Sequence, residues 1–158
     1  MAHVSQETVF ARFAKWKGAH VIGTASENNQ GLLRDLGVDE PVDYQKKPFE
    51  EIAVDVDVVL DTIGGETQER SLKAQIKGGI LLSIVRPPSK DLAAKYGVRA
   101  ELFAMKPSSP VLAEIAKLVD AGRIKTVVER VLGLSEARQV HELSEKGHVR
   151  GKIVLKVV

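Results

Sequence analysis

Residues 55–85, which read DVDVVLDTIGGETQERSLKAQIKGGILLSIV, decide the fold class of this chain. Two short apolar runs, Val56–Asp61 and Gly79–Val85, flank a stretch with helical periodicity, Thr67–Ile76, which we expect to stop at the glycine pair 78–79. A strand, a helix and a second strand in succession form a βαβ unit, in which the two strands are parallel. Continuous apolar runs are typical of strands that are covered on both faces of a sheet. This stretch therefore predicts the centre of a parallel α/β sheet.

The alternation of strands and helices continues on both sides of this stretch. Further strands are predicted at Ala19–Thr24, Val42–Tyr44, Val98–Ala104 and Ile153–Val158. Further helices are predicted from Ser5 to about Lys17, over Asn28–Leu36, from Pro110 to Gly122 and from Ser135 to Gly147, with the two serines as N-caps. Repeated βαβ units with right-handed crossovers predict an α/β fold, a doubly wound Rossmann-like parallel sheet with helices on both faces.

Composition and charge limit the classes of function. The chain has 158 residues, 44% hydrophobic and 28% charged, as expected of one globular domain with its own core. The net charge of +2, without basic runs that alternate with aromatic residues, argues against a nucleic-acid partner. No apolar run reaches the roughly 20 residues of a membrane span, so we expect no membrane partner. The lack of cysteine excludes disulfides and thiolate metal sites, and agrees with a cytoplasmic location.

Short motifs for metal binding or hydrolysis do not occur in the sequence. The four histidines, His3, His20, His141 and His148, are scattered and lack metal-ligand spacing. No G-x-S-x-G nucleophile motif is present, and the acidic residues are distributed as on solvated helix faces. The sequence predicts no metal site, and it offers no residue for the part of a catalytic acid, base or nucleophile.

The missing glycine motif bears directly on function. A dinucleotide-binding fold holds the pyrophosphate at a G-x-G-x-x-G turn between a strand and a helix. The chain contains no such motif, and MAHVSQET stands where the strand and the glycines would precede the first helix. The spacing of these residues alone does not decide whether this Rossmann-like domain binds a dinucleotide.

Six segments in order resemble the medium-chain dehydrogenase/reductase superfamily, and most of all its zinc-independent, NADPH-dependent quinone oxidoreductase and enoyl reductase branch. The segments are FAKWKGAHVIGTAS, LLRDLGVDEPVDY, DVDVVLDTIGGETQERSL, KGGILLSIV, AKLVDAGRIKTVVERVLGLSEARQVHE and GHVRGKIVLKV. The resemblance implies a nucleotide-binding domain at residues 10–150, a non-family segment at 1–9, and a strand at 151–158 that would join a GroES-like barrel. It also implies that the barrel, the first strand and its glycine-rich turn are missing here.

The resemblance places the adenosine end of the cofactor beside the first predicted strand. No acidic residue follows that strand until Glu27, which is typical of an NADP-accepting pocket. Ser26 and Tyr44 match family positions near the 2′-phosphate and adenine, and Thr24, at the end of the strand, is a further candidate for cofactor binding. The alternatives are that Ser26 is a helix N-cap and Tyr44 a half-buried aromatic. Asparagines 28 and 29 stand where relatives often carry a basic residue, which weakens the expected phosphate site.

The other candidate residues follow later strands. In relatives the loop Asp61-Thr62-Ile63-Gly64-Gly65 lies beside the cofactor ribose; the alternative is a strand–helix turn in which Asp61 acts as a cap. Ser83 and Ile84 would face the nicotinamide. Lys152 reaches the cofactor in some relatives, and the alternative is a solvated charge at a strand edge.

The resemblance implies an NADPH-dependent reductase of quinones or enones, but only if a catalytic domain is supplied. We expect the chain alone to bind NADPH weakly and to have weak or no activity, and whether it is an enzyme is open. The alternative function is a non-catalytic module in protein association. Two structural expectations follow: a homodimer through the edge strand 97–104, and Ile153–Val158 as the segment within the chain that best fills the place of a missing central strand.

Overall fold

The computed structural model describes residues 4–146 and 149–158, with backbone only for residues 4–8. Helices are α1 Val4–Trp16, α2 Gln30–Asp35, α3 Gly65–Lys73, α4 Lys90–Tyr96, α5 Ser109–Asp120 and α6 Ala137–Glu145. Strands are β1 Ile22–Ala25, β2 Glu40–Asp43, β3 Val56–Asp61, β4 Gln75–Ser83, β5 Arg99–Leu102, β6 Val128–Gly133 and β7 Lys152–Lys156. Short 3-10 turns lie at Glu27–Asn29, Phe49–Glu51 and Leu134–Glu136.

Hydrogen bonds join the described strands into three groups, β1-β2, β3-β4-β5 and β6-β7. Pairing is parallel between β3 and β4, between β4 and β5, and between β6 and β7, with Leu81 opposite both Val59 and Ala100. The predicted α/β class with parallel strands is therefore confirmed. The predicted strand 153–158 corresponds to β7, which pairs with β6 and not with β1 or β3. The expectation that it fills the place of a central strand is wrong, because β6, which the sequence analysis did not predict, is its partner.

The chain divides into two compact units, each described by itself. The first unit comprises the residues up to Gly23, together with Gly31–Glu40 and Ser108–Val158. The second comprises Thr24–Gln30 and Pro41–Pro107.

The second unit is built around β3, β4 and β5. Leu72 of α3, Leu81 of β4, Ala93 of α4 and Val98 form a buried cluster. Helix α4 was not predicted from the sequence. It is held by the burial of Ala93 and by capping: the Ser89 hydroxyl accepts a hydrogen bond from the Leu92 N–H at 3.3 Å.

In the first unit, buried apolar residues lie on α1 and around α2, and few lie further along the chain. They include Ala11, Leu33, Leu36, Val38 and Ile124. In the described residues from 128 onward, Gly151 alone is buried. A Cβ at Gly151 would lie 2.3 Å from the Val127 carbonyl oxygen, and its φ is +88°, so a glycine is required there. The segment β6–α6–β7 thus has little core of its own.

Helix boundaries show where local sequence rules fail. Helix α3 ends at Lys73, and Ile76, which we expected in the helix, belongs to β4. Ser5 lies inside α1, which already begins at Val4, so it is not the N-cap. Ser135 also lies inside a turn, whose start is marked by the Gly133 N–H donating to the Glu136 carboxylate at 2.8 Å. The predicted stop at Gly147 falls outside the described residues.

Candidate functional site

A buried carboxylate stands at the carboxyl end of β3. Asp61 Oδ1 accepts hydrogen bonds from the backbone N–H groups of Ile63 and Gly64, at 3.1 and 2.8 Å. Its Oδ2 accepts from Gln68 Nε2 and from Ser83 Oγ, each at 2.7 Å. A carboxylate offers about four acceptor positions, so all those of Asp61 are taken by donors from the protein. We call this arrangement the Asp61 cradle.

The cradle ties two loops together at one edge of the sheet. Residues Asp61 and Ser83 are paired neighbours in the parallel register of β3 and β4. The Ile84 N–H donates to the Asp61 carbonyl oxygen at 3.0 Å, which extends the ladder by one residue. Ser83 is fully buried, and its hydroxyl oxygen lies 3.3 Å from the N–H groups of Val85 and Arg86. The loop after β3 and the loop after β4 are therefore held in one fixed arrangement.

Gly64 shapes the surface beside the cradle. Its φ is +76°, and an added Cβ would lie 2.7 Å from Arg86 Cδ, so the aliphatic part of Arg86 packs against the glycine backbone. Gln68 also donates to the Arg86 carbonyl oxygen at 3.2 Å. A shallow cavity of about 180 Å³ opens here, smaller than the roughly 300 Å³ at which small-molecule pockets begin. Its lining is Gly65, Gln68, Glu69, Arg86, Pro87, Pro88 and Ser89.

A second group of candidate residues lies at the carboxyl ends of β1 and β2. Ser26 occupies the N-cap position of the turn 27–29, but its side chain makes no capping hydrogen bond. Lys46 Nζ lies 2.6 Å from Glu27 Oε1 and 3.7 Å from Asp43 Oδ2. The hydrogen bond to Glu27 raises the pKa of Lys46 above its ordinary value. Tyr44 is 42% exposed, which agrees with the half-buried aromatic that was the alternative from sequence and leaves part of its ring open to solvent.

The structure brings most of the predicted site residues into one unit. Eight of the nine lie in the second unit: Thr24, Ser26, Tyr44, Asp61, Thr62, Ile63, Ser83 and Ile84. Thr62 is buried, and the side chains of Thr24, Ile63 and Ile84 are partly exposed. Lys152 lies in the first unit as an exposed residue of β7. The sequence left two roles open for Asp61, a contact beside the cofactor ribose or the cap of a strand–helix turn. The hydrogen bonds of its carboxylate favour the cap.

Sequence reasoning missed three residues of the site: Gln68, Arg86 and Lys46. Gln68 stands seven residues after Asp61, a spacing that belongs to no short motif and acquires meaning only when α3 begins at Gly65. Lys46 reaches Glu27 because β1 and β2 are neighbouring strands. The available signal was a polar residue at the end of a predicted strand, and it pointed to Asp61 and Ser83 but not to these three residues.

Two further observations concern metals and membranes. Among the described side chains, those of residues 9–146 and 149–158, no three histidine, aspartate or glutamate residues cluster in a way that would hold a metal ion. In the same part of the chain, no helix combines the length and apolar character needed to cross a membrane.

Comparison with known proteins identifies relatives along nearly the whole chain. Residues 36–155 match the family model described as zinc-binding dehydrogenase. The mitochondrial NAD(P)H oxidoreductase RTN4IP1 of Danio rerio is 30% identical over 178 residues, which cover 96% of this chain and 46% of that protein. A chloroplastic NADPH-dependent alkenal/one oxidoreductase of Arabidopsis thaliana is 29% identical over 140 residues, covering 85% of this chain and 33% of that protein.

A solved structure agrees with these relatives. The quinone oxidoreductase of Coxiella burnetii superimposes with a TM-score of 0.88 at 31% identity, covering 98% of this chain and 50% of that one. The chain thus spans between a third and a half of the length of these three proteins. The match to the family model extends over most of the chain and overlaps five of the six segments quoted above. The chain therefore belongs to the zinc-binding dehydrogenase family of the medium-chain dehydrogenase/reductase superfamily.

Proposed function

We propose that this chain forms the dinucleotide-binding part of an NADPH-dependent oxidoreductase that reduces quinones or enones. The Asp61 cradle is the observation that carries the proposal. It fixes two adjacent loops at the carboxyl ends of parallel strands, where doubly wound sheets bind their ligands. The relatives support the reaction class, since their names are those of NAD(P)H, alkenal/one and quinone oxidoreductases.

The residues present fit such a cofactor at both ends of the site. At the adenosine end, the Ser26 hydroxyl makes no capping bond, Tyr44 is half exposed, and Lys46 supplies a cation. At the other end, we expect Ile63 and Ile84 to contact the sugar and the nicotinamide, while Asp61 and Ser83 hold their loops. When bound, NADPH supplies a hydride to the substrate. The part of this chain is to bind and orient the cofactor, and we assign no catalytic acid or base to its residues.

We expect weak NADPH binding by the chain alone. Its sequence has no G-x-G-x-x-G turn, and Ser5–Thr8 already belong to the first turns of α1, where relatives would carry glycines. Without glycines at this turn, the close approach of backbone N–H groups that holds a pyrophosphate in dinucleotide folds is not provided for by the sequence. Substrate reduction then requires a catalytic domain in addition. We also propose that the protein needs no zinc, since it lacks cysteine and resembles the zinc-independent branch.

We further propose a homodimer, formed through β5. Leu102, Phe103 and Met105 are exposed at and just after this edge strand. Adding a second copy at the edge would pair its free backbone groups and cover part of this apolar surface. We keep the cytoplasm as the proposed compartment, on composition alone, although the names of the relatives place them in mitochondria and chloroplasts.

A second candidate function, a non-catalytic association module, is favoured by one observation. Val131 and Val154 are opposite each other in the β6–β7 register, and they are 61% and 40% exposed. Apolar residues paired on an uncovered sheet face are typical of a surface that another protein element covers. This function would need no cofactor.

Calorimetric titration of the chain with NADPH tests the proposal, followed by an assay of NADPH oxidation with a quinone. We expect saturable binding weaker than low micromolar and no measurable turnover by the chain alone. Absence of binding at millimolar NADPH would exclude the reductase proposal and favour the association module. Turnover by the chain alone would show that no further catalytic domain is required.

A further inference from the structure

Lys46 and Glu27 face each other at the place where dinucleotide folds distinguish their two cofactors. An acidic residue just after this strand binds the ribose hydroxyls of NAD and repels the 2′-phosphate of NADP. Glu27 stands two residues after the end of β1, and it would favour NAD if its charge were open to the ribose. The structure instead places Lys46 Nζ at 2.6 Å from the Glu27 carboxylate.

The position of Lys46 is set by the backbone of its own turn. The Gln45 N–H donates to the Asp43 carboxylate at 3.0 Å, and the Lys46 N–H donates to the Asp43 carbonyl oxygen at 3.1 Å. The Asp43 side chain is only 10% exposed, and its Oδ2, which has no hydrogen-bond partner, lies 3.7 Å from the Lys46 ammonium. The turn after β2 therefore folds Lys46 back toward the loop after β1.

We propose that Lys46 is the specificity-determining residue that makes this site accept a 2′-phosphorylated dinucleotide, by neutralising Glu27 and donating its other N–H groups to the phosphate. An ammonium group has three donors, so one can stay on Glu27 while two are directed to phosphate oxygens. The Ser26 hydroxyl, which makes no capping bond, is a further donor beside Glu27. Lys46 thus supplies the positive charge for the 2′-phosphate that asparagines 28 and 29, which stand where relatives often carry a basic residue, cannot supply. This inference rests on the proposed function and adds the residue that selects the cofactor.

The charge state of Lys46 agrees with this role. The hydrogen bond to Glu27 raises the pKa of Lys46, so the ammonium remains protonated throughout the neutral range. Both side chains are well exposed, at 62% for Lys46 and 68% for Glu27, so a bound phosphate has access from solvent. An exposed pair of this kind contributes little to folding, which makes its substitution a clean test of binding.

The test compares NADPH and NADH binding by calorimetry in the parent chain and three variants. Lys46→Gln removes the cation, Glu27→Gln removes the competing carboxylate, and Lys47→Gln is the matched control. Lys47 is also exposed, and in the described part of the chain the structure shows for it only a backbone hydrogen bond to Asp43 at 3.3 Å. Circular dichroism of each variant checks that the fold is kept.

The expected pattern is a change of selectivity. Lys46→Gln should lower NADPH affinity by about tenfold or more, the effect of losing at least one charge-assisted bond, and leave NADH affinity unchanged or raised, because Glu27 is then open to the ribose hydroxyls. Glu27→Gln should raise NADPH affinity severalfold, and Lys47→Gln should change neither. An equal loss for both cofactors, or no loss of NADPH in Lys46→Gln, would overturn the inference while the proposed function stands. A parent chain that binds neither dinucleotide would overturn the proposed function and this inference together.

Discussion

Replacing Asp61 with asparagine tests whether the Asp61 cradle stabilises the fold. The side chain keeps its shape, but one carboxylate oxygen becomes an amide NH₂. Oδ1 faces the N–H groups of Ile63 and Gly64, which can only donate, so the amide oxygen must take that place. The new NH₂ then points at Gln68 Nε2 and Ser83 Oγ, both at 2.7 Å in the parent.

The energetic cost follows from the donors that the NH₂ meets. The Ser83 hydroxyl can rotate and accept, but Gln68 presents a second NH₂ group. Turning the Gln68 amide relieves that contact and loses its 3.2 Å bond to the Arg86 carbonyl oxygen. One lost bond to a charged acceptor costs about 1.5–3 kcal/mol, and a buried group left unpaired costs about 1–3 kcal/mol. Since a neutral amide is cheaper to bury than a carboxylate, we expect a net loss of about 3 kcal/mol.

Urea unfolding followed by circular dichroism measures this loss. For a chain of this length the same change lowers the Tm by roughly 6–12 °C. Asp57→Asn is the matched control, because Asp57 is an exposed aspartate of the same strand, β3. Ser83→Ala should cost about 1–2 kcal/mol, and its effect should not add to that of Asp61→Asn, since the two residues share one hydrogen bond. A loss in Asp61→Asn of less than about 0.5 kcal/mol, or no larger than in Asp57→Asn, would refute the reasoning.

Two further predictions concern an ion pair and an edge strand. Arg70 binds both oxygens of Glu50, at 2.7 and 2.6 Å, and this hydrogen bonding lowers the pKa of Glu50. The resulting stabilisation is therefore present above the ordinary glutamate pKa of about 4.3 and is lost as the pH falls through the lower pKa that Glu50 has in the folded protein. Glu50→Gln should lower the free energy of unfolding by about 1 kcal/mol at pH 7 and should make the urea midpoint depend less on pH in the acid range. The exposed control Glu51→Gln should do neither. At β5, the Phe103 N–H donates to the Ser83 carbonyl oxygen, so by alternation the Ala100 N–H faces the free edge. Ala100→Pro should convert a dimer near twice 17.2 kDa into monomer in light scattering, whereas a monomeric parent at high micromolar concentration would exclude this interface.

The elements that the sequence predicted best are those that local chemistry decides. Strand β3 has the predicted bounds, Val56–Asp61, because a run of apolar, mostly β-branched residues ends at a polar turn. Gly18, Gly37 and Gly122 all have positive φ where we predicted helix ends. By contrast, α4 and β6 were missed. Each is a short element without clear periodicity, which depends on tertiary packing or on pairing with a strand far along the chain.

The candidate site could be predicted in its location but not in its contacts. The location of the site in the loops after β3 and β4 follows from the order of the strands and helices along the chain. The hydrogen bond between Asp61 and Ser83 depends on a strand register that the sequence does not specify. In the same way, Glu27 and Lys46 are 19 residues apart and meet through the adjacency of β1 and β2. What sequence reasoning missed in both places is the partner supplied by a neighbouring strand.

The two halves of the site have different physical tasks, and binding measurements separate them. The Asp61 carboxylate is saturated by four donors, so it attracts no cofactor group directly and acts by fixing the loops of Ile63 and Ile84. Loops that are already ordered lose less conformational entropy when a ligand binds. Since this gain does not depend on the 2′-phosphate, loosening the Asp61 cradle should weaken NADPH and NADH alike. In our proposal Lys46 favours the 2′-phosphate by neutralising Glu27 and by donating to the phosphate oxygens, so its loss should weaken NADPH selectively. Equal loss of both dinucleotides therefore identifies an ordering role, and a changed ratio identifies a recognition role.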